Sequence, residues 1–229
     1  GVKKSKTEVY EVYPSNLPGK TYRRLISRDG KALAEAELAE QDRKQEEKTD
    51  KRERRLAAED EQKRAARLEE EKRKEKAVVD EIFRMDDIEV TARETVDGRP
   101  TIIVTFAPRP GIRPTTDGGK VVQKLQGRAW IDEADRQLVR LEARLIDSMA
   151  VGPAKLARLQ KGSRASIIRR KINGEIWLPA MAHFTGSARL LLVKGLNLDA
   201  TSEYSDYRKF QVATTSDFTP ESKEPQSKE

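Results

Sequence analysis

Few residues of this chain have the type and spacing that catalysis or metal binding requires. The single histidine, His183, has no cysteine or second histidine to join it, so neither a zinc cluster nor a Ser-His-Asp arrangement is supported. The carboxylate pairs Asp86/Asp87 and Asp132/Asp135 lie in predicted turns, where aspartate is a common turn former. No glycine-rich phosphate loop of either common pattern is present. The sequence therefore predicts a protein without catalytic residues, metal ligands or a cofactor, and a structural or surface role for His183.

Two tryptophans, Trp130 and Trp177, have the most informative surroundings. Core packing is the more frequent role for a tryptophan among apolar neighbours, and lining a ligand cavity is the alternative. Several predicted strands carry apolar residues on both faces, which favours a cavity, because one face must be buried while the other covers or lines something. The residues predicted to line such a cavity are Ile102, Val104, Phe106, Trp130, Leu141, Ile168, Trp177, Leu190 and Leu192.

These residues require a sheet to position them, and two segments have the pattern of a β-hairpin. Apolar and charged residues alternate over 138–145, the period of a half-buried strand, and the polar turn 133–136 pairs it with 127–132. Asn173-Gly174 predicts a two-residue type I′ turn, which would place Arg170 opposite Trp177. Further strands are predicted at 7–13, 22–27, 88–95, 101–106, 189–193 and 200–212.

Two other segments have their own signals. Residues 107–119 are rich in proline and glycine and predict a loop. Residues 152–162 predict a short helix, because proline occupies the first helical position and glycine follows the end.

Residues 31–85 form a charged helical insertion, since 32–85 contains no proline or glycine and consists mainly of strong helix formers. The stretch 31–76 has 15 basic and 15 acidic residues, so its net charge is zero. No large apolar residue occurs between Ala39 and Arg55, which predicts either a bend near Thr49-Asp50 or one solvated rod. A net-neutral surface gains little from polyanions, so a spacer is favoured and nucleic acid is not a favoured partner.

The net charge of +7 lies outside this insertion, mostly in 99–194, where 18 basic residues face 7 acidic ones. A basic surface favours anionic partners such as phospholipid head groups, nucleic acid or acidic proteins, without choosing among them. No apolar run approaches the roughly 20 residues of a transmembrane helix. The chain begins in strand-like sequence, which predicts that a segment carrying an export signal precedes it.

An ordered set of motifs resembles a known family. Tyr22-Arg-Arg-Leu-Ile-Ser-Arg-Asp-Gly-Lys31, Gly127-Arg-Ala-Trp-Ile-Asp132, Asn173-Gly-Glu-Ile-Trp-Leu-Pro179 and Tyr204-Ser-Asp-Tyr-Arg-Lys-Phe210 are similar to bacterial outer-membrane lipoprotein-sorting proteins of the LolA/LolB-like superfamily. The resemblance spans most of 7–212. It implies a strongly curved, incomplete antiparallel barrel that holds acyl chains in the periplasm without catalysis. The amino-terminal helix and first strands of that family are absent here, and the helical insertion is longer.

We therefore expect an α+β fold in which 1–30 and 86–212 form one curved antiparallel sheet domain. Residues 31–85 are expected to be the helical insertion and 213–229 a disordered tail. The expected function is that of a periplasmic module that binds lipid acyl chains or a lipoprotein. The alternative is a structural or interaction protein with a solid core, whose helical segment 31–85 binds a protein partner.

Overall fold

The structure is a computed structural model that describes residues 5–14, 21–152, 157–190 and 193–209. It confirms the α+β class, and the described strands pair antiparallel. The chain divides into two compact units, residues 1–75 and 76–229. The predicted tail at 213–229 lies outside the described residues.

The first unit contains, among the described residues, a three-stranded sheet in which a central strand joins two others. Its strands are β1 (Glu8–Pro14), β2 (Thr21–Arg28) and β3 (Lys31–Ala32). The strands predicted at 7–13 and 22–27 are β1 and β2, and they pair antiparallel. Helix α1 (Glu35–Ala57) lies against β2, because the Gln41 amide bonds both backbone polar groups of Leu25. Asp42 accepts hydrogen bonds from Tyr22 and Arg24 and adds to this contact.

The charged segment is two helices rather than one rod, since α1 ends at Ala57 and α2 spans Glu61–Met85. The predicted bend at Thr49-Asp50 is wrong, because both residues lie inside α1. The break instead follows a capping signal: the Asp60 carboxylate accepts hydrogen bonds from the backbone of the first turn of α2. A cap decided the position of the break, and the gap in apolar residues did not.

The second unit holds, within the described residues, a nine-stranded antiparallel sheet. Its strands are β4 (Asp86–Val96), β5 (Arg99–Pro108), β6 (Leu125–Asp132), β7 (Leu138–Leu145), β8 (Met149–Val151), β9 (Ala157–Leu159), β10 (Arg164–Ile172), β11 (Ile176–Leu190) and β12 (Val193–Glu203). Their order is β4-β5-β6-β7-β10-β11-β9-β8, with β12 also paired to β11. Strands β1–β3 form a separate sheet, so the predicted single sheet from 1–30 and 86–212 is instead two sheets.

Two local predictions in this unit are corrected. Part of the helix predicted at 152–162 is strand β9, which pairs with both β8 and β11, and residues 153–156 lie outside the described chain. The predicted loop at 107–119 leads into a short helix, α3 (Asp117–Val122), whose N-cap is the Thr116 hydroxyl. Strand pairing with β8 and β11 overrode the proline and glycine signals at 152–162, and the Thr116 cap started a helix at the end of the predicted loop.

The Asn173-Gly174 turn has the positive φ angles that were expected, 51° and 71°. However, Ile172 pairs with Ile176, so Glu175 also belongs to the loop and Trp177 faces Lys171 rather than Arg170. A register shift of one residue exchanges the two faces of a strand. The observed register buries Trp177, and this burial outweighs the preference for a two-residue turn.

The core of the second unit is small and aromatic. Ile103, Trp130, Val139 and Trp177 form one buried cluster, called the tryptophan cluster below, and Val96 packs against it. Both tryptophans therefore have the core role. No described helix is long and apolar enough to cross a membrane.

Candidate functional site

The two faces of the nine-stranded sheet differ in chemistry. Residues paired across an antiparallel sheet share a face, so the register assigns each side chain to a face. One face, called the apolar face, contains two rows that each cross six strands. The rows are Val90, Val104, Ala129, Leu141, Ile167 and Ala182, and Ile88, Phe106, Gly127, Ala143, Ala165 and Phe184.

In the second row of the apolar face the small residues Gly127, Ala143 and Ala165 lie between two phenylalanines, and this stretch is called the trough below. Phe106 lies at one end of these small residues and Phe184 at the other, and Gly127 is packed most tightly against its neighbours. A Cβ atom at Gly127 would lie 2.9 Å from the Phe106 ring and 1.9 Å from the Glu142 carbonyl oxygen. Only glycine allows this packing, so the floor of the trough is set by the sequence at β6.

The opposite face carries arginines. One row contains Arg128, Glu142, Ser166 and His183, and the next contains Gln126, Arg144, Arg164 and Thr185. Between these rows lies a groove of about 570 Å³, called the arginine groove. Its walls are these eight side chains, and its floor is the backbone of Gly127, Ala143 and Ala165.

Trp130 positions two of the guanidinium groups on this face. Only 4% of Trp130 is exposed, and its ring nitrogen donates a hydrogen bond of 2.6 Å to Glu94. The guanidinium carbons of Arg128 and Arg140 lie 5.1 Å and 4.7 Å from the centre of the indole ring, within cation–π range. Both arginines also donate to the Glu142 carboxylate.

Glu142 is consequently an ionised partner of two arginines. Its partial burial raises its pKa, but hydrogen bonds from Arg128 and Arg140 outweigh that effect and leave the pKa below its ordinary value. At neutral pH its negative charge is therefore compensated by side chains that already surround it.

Arg144 and Arg164 are different. They are directly opposed across β7 and β10, and neither has a carboxylate partner among the described residues. Like charges in directly opposed positions destabilise a sheet. The arginine groove therefore has a positive region that the described part of the chain does not neutralise.

His183 is the most reactive type of residue in the groove wall. Its Nε2 atom lies 2.9 Å from Asp199, and Ser166 is its cross-strand neighbour. No hydrogen bond joins Ser166 to His183 among the described residues, so a serine activated by this histidine is not assembled here. The described residues also contain no group of acidic side chains and histidine that could hold a metal ion.

A second groove, of about 430 Å³, lies beside Asp135, Arg169, Lys171 and Trp177. Both carboxylates in its lining have partners: Asp135 accepts from Lys171 at 2.7 Å, from the Trp177 ring nitrogen at 2.8 Å and from Arg99 at 3.0 Å, and Glu175 pairs with Lys209 at 2.8 Å. These contacts give Asp135 a structural role in a turn.

The nine residues predicted to line a cavity do not share one surface. Val104, Phe106 and Leu141 lie on the apolar face, and Ile102 lies two residues before Val104 on the same face of β5. The others separate. Trp130 and Ile168 belong to the opposite face, and Trp130 lies with Trp177 in the tryptophan cluster. The side chain of Leu190 and all of Leu192 lie outside the described part.

The arginine groove was not predicted from the sequence. The alternation of Arg140, Glu142 and Arg144 on the wet face of β7 was visible, but the arginines that join them come from β6 and β10. No protein family model, curated protein or solved structure matches this chain. Functional inference therefore depends on the geometry of the two sheet faces.

Proposed function

We propose that this protein binds acyl chains of a lipid or lipoprotein on its apolar face, as a non-catalytic module of the bacterial periplasm. The observation that carries the proposal is the pair of apolar rows, which cross six strands without a polar side chain. Several members are open to solvent, including Val90 at 62% and Ile167 at 37% exposure. A ligand that covers them gains about 25 cal/mol of binding free energy for each Å² of apolar surface removed from water.

The chemistry of the rows favours a hydrocarbon over a peptide segment. None of the twelve side chains can donate or accept a hydrogen bond, so a peptide lying across them would leave its backbone groups without partners. An acyl chain has no such groups. The trough between Phe106 and Phe184 is also smooth, because Gly127, Ala143 and Ala165 present little or no side chain.

The resemblance to lipoprotein-sorting proteins supports the same conclusion and adds detail. We infer that the sheet curves around the trough as an incomplete barrel, as that resemblance implies. The helical segment 31–85 then acts as a charged spacer. The arginines of the arginine groove lie on the face opposite the acyl site, so they do not contact the head group of a lipid bound there.

The proposal is tested with a fluorescent fatty-acid probe and two matched variants. Ile167→Glu places a carboxylate in the first apolar row, whereas Ile176→Glu makes the same change at an isoleucine that is 55% exposed and outside the rows. We expect at least a tenfold loss of probe affinity for Ile167→Glu and none for Ile176→Glu, because an ion buried beneath an acyl chain is costly. Equal behaviour of the two variants, or no uptake by the wild type, would contradict the proposal.

Native mass spectrometry of protein purified from a membrane-containing bacterial lysate provides an independent measurement. We expect acyl lipid or lipoprotein to copurify with the wild type and to be lost from Ile167→Glu. Protein that is free of lipid in both forms would count against an acyl site.

A second candidate, protein-partner binding by the helical segment, is favoured by one observation. Phe83 is 66% exposed and Val79, one turn earlier on α2, is 49% exposed. Since the chain has no cysteine, Phe83→Cys allows clean attachment of a crosslinker in cells. A single defined adduct, absent from Lys76→Cys on the same helix, would favour this candidate, and its absence would remove it.

A further inference from the structure

We infer that the arginine groove is a phosphate-binding site, in which a phosphoryl group lies between the guanidinium groups of Arg144 and Arg164. This site is on the opposite face from the acyl chains and does not depend on the function proposed above. Its ligand class is a phosphate monoester or inorganic phosphate.

The first argument is the unbalanced charge. Arg144 and Arg164 are cross-strand partners, whose Cβ atoms are about 5 Å apart in such pairs. Their neighbours Arg128 and Arg140 share the carboxylate of Glu142, but within the described residues no carboxylate reaches this pair. A dianion between them would replace a repulsion with two attractions.

The second argument is the donor chemistry of the walls. Guanidinium groups match the oxygens of a phosphoryl group in a bidentate manner, and such charge-assisted hydrogen bonds are among the strongest in proteins. The hydroxyl groups of Ser166 and Thr185 and the amide of Gln126 add neutral donors to the same walls. The volume of about 570 Å³ is within the usual range for small-molecule sites.

The third argument concerns the alternatives. Three arginines and one glutamate line the groove, so its walls are net positive, and Glu142 already has partners. Single-stranded nucleic acid binds grooves of this sign by stacking bases on aromatic side chains. No tryptophan, tyrosine or phenylalanine is among the lining residues, and the indole of Trp130 is buried beneath Arg128 and Arg140. A compact phosphoryl group fits these walls better than a polynucleotide.

Isothermal titration with inorganic phosphate, against chloride at equal ionic strength, tests the site. Arg144→Gln and Arg164→Gln each remove one guanidinium, and Arg136→Gln makes the same charge change in the turn after β6. We expect each groove variant to weaken phosphate binding at least tenfold and Arg136→Gln to leave it unchanged. Equal losses in all three variants would show nonspecific screening and overturn the proposal, as would the absence of binding to the wild type.

Thermal unfolding supplies a second readout that does not need a measurable affinity. In phosphate-free buffer we expect Arg164→Gln to melt no lower than the wild type, because it relieves the repulsion. Added phosphate should raise the melting temperature of the wild type and not that of the variant. A variant that unfolds earlier and still responds to phosphate would overturn the assignment.

Vesicles distinguish the two sources of the phosphoryl group. Phosphatidylcholine vesicles that contain phosphatidic acid present a phosphate monoester on a membrane, and pure phosphatidylcholine vesicles are the control. Binding of the first kind alone, lost in Arg164→Gln, would identify a lipid head group, and binding of inorganic phosphate without vesicles would identify a free phosphate ester. If Ile167→Glu loses the fatty-acid probe but keeps phosphate, the two sites are separate.

Discussion

At the scale of single residues, the buried charges beside the tryptophan cluster make the clearest prediction. Asp132 is fully buried and accepts hydrogen bonds of 2.6 Å and 2.9 Å from Arg99, which lower its pKa to about 2. Asp132→Asn breaks this ion pair and should reduce the free energy of unfolding by about 3 kcal/mol at neutral pH. Urea unfolding measures the change.

The pH dependence of the same variant has a definite sign. A carboxyl whose native pKa is lowered from 3.8 contributes stability above that value and loses it as the pH falls toward 2. Wild type and Asp132→Asn should therefore converge in stability over this acidic range. Asp87→Asn is the matched control, because Asp87 is exposed in its pair with Arg109 and its loss should cost less than about 1 kcal/mol.

Asp86 is predicted to behave in the opposite way. It is buried, neither carboxylate oxygen has a hydrogen-bond partner among the described residues, and burial raises its pKa despite the nearby Arg109. Such an acid favours the native state while protonated, so its contribution is present at low pH and is lost as the pH rises above 3.8. As the pH rises above 3.8, the wild type should lose stability relative to Asp86→Asn. A constant difference between the two proteins would show that Asp86 does not titrate in this way.

At the scale of elements, strand β6 contributes Gly127 to the apolar face and Arg128 to the opposite face. Gly127→Ala would place a methyl group 1.9 Å from the carbonyl oxygen of Glu142 on the paired strand, so β6 and β7 must separate. We expect a loss of about 3 kcal/mol of stability, measured by urea unfolding. Gly195→Ala is the control, since its nearest neighbour would lie at 3.8 Å, an ordinary contact. A neutral Gly127→Ala would mean that the trough floor is not tightly packed.

The end of α2 is held by another close approach. Glu81 accepts hydrogen bonds from the hydroxyl and backbone of Thr116 and Thr115, which lower its pKa to about 2. A Cβ atom at Gly119 would lie 2.1 Å from this carboxylate. Gly119→Ala should therefore lower the melting temperature of the second unit, by displacing Glu81 from Thr115 and Thr116. Gly195→Ala again serves as the control, and equal melting of the two variants would contradict this account.

Most elements of the second unit were predictable from the sequence, but their partners were not. Period-two alternation located β7, and strands were also predicted where β4, β5 and β6 lie. Both tryptophans were predicted to line a cavity, with core packing as the more frequent role, and the structure buries both in one cluster. The register around Asn173-Gly174 was wrong by one residue, because burial of Trp177 is a tertiary effect that no local turn preference contains. The arginine groove was invisible for the same reason, since a sequence pattern does not say which strands are neighbours.

At the scale of the whole molecule, the two compact units make a prediction about the helices. The described residues of α1 that hydrogen-bond to β2, Gln41 and Asp42, precede Lys44, and the strands of the nine-stranded sheet all follow Lys76. Deletion of 44–73 should therefore reduce the helical circular dichroism signal and leave cooperative melting of the sheet intact. Loss of cooperative melting would show that these helices are more than a spacer.

The prediction of one sheet from 1–30 and 86–212 failed at this scale. Strands β1 to β3 have an alternating pattern similar to that of the later strands, and nothing in the pattern assigns them to one sheet or another. The division depends on which edges pair, which is decided by the competing contacts of the whole chain.

The backbone of Gly127, Ala143 and Ala165 is at once the floor of the trough and the floor of the arginine groove. A single layer of strands thus separates the two proposed ligands, and neither can shift it without the other ligand's site shifting too. Thermodynamic reciprocity then applies. If a bound phosphate changes the affinity for acyl chains by some factor, a bound acyl chain changes the affinity for phosphate by the same factor. This protein would thereby report the occupancy of one side of its sheet on the other.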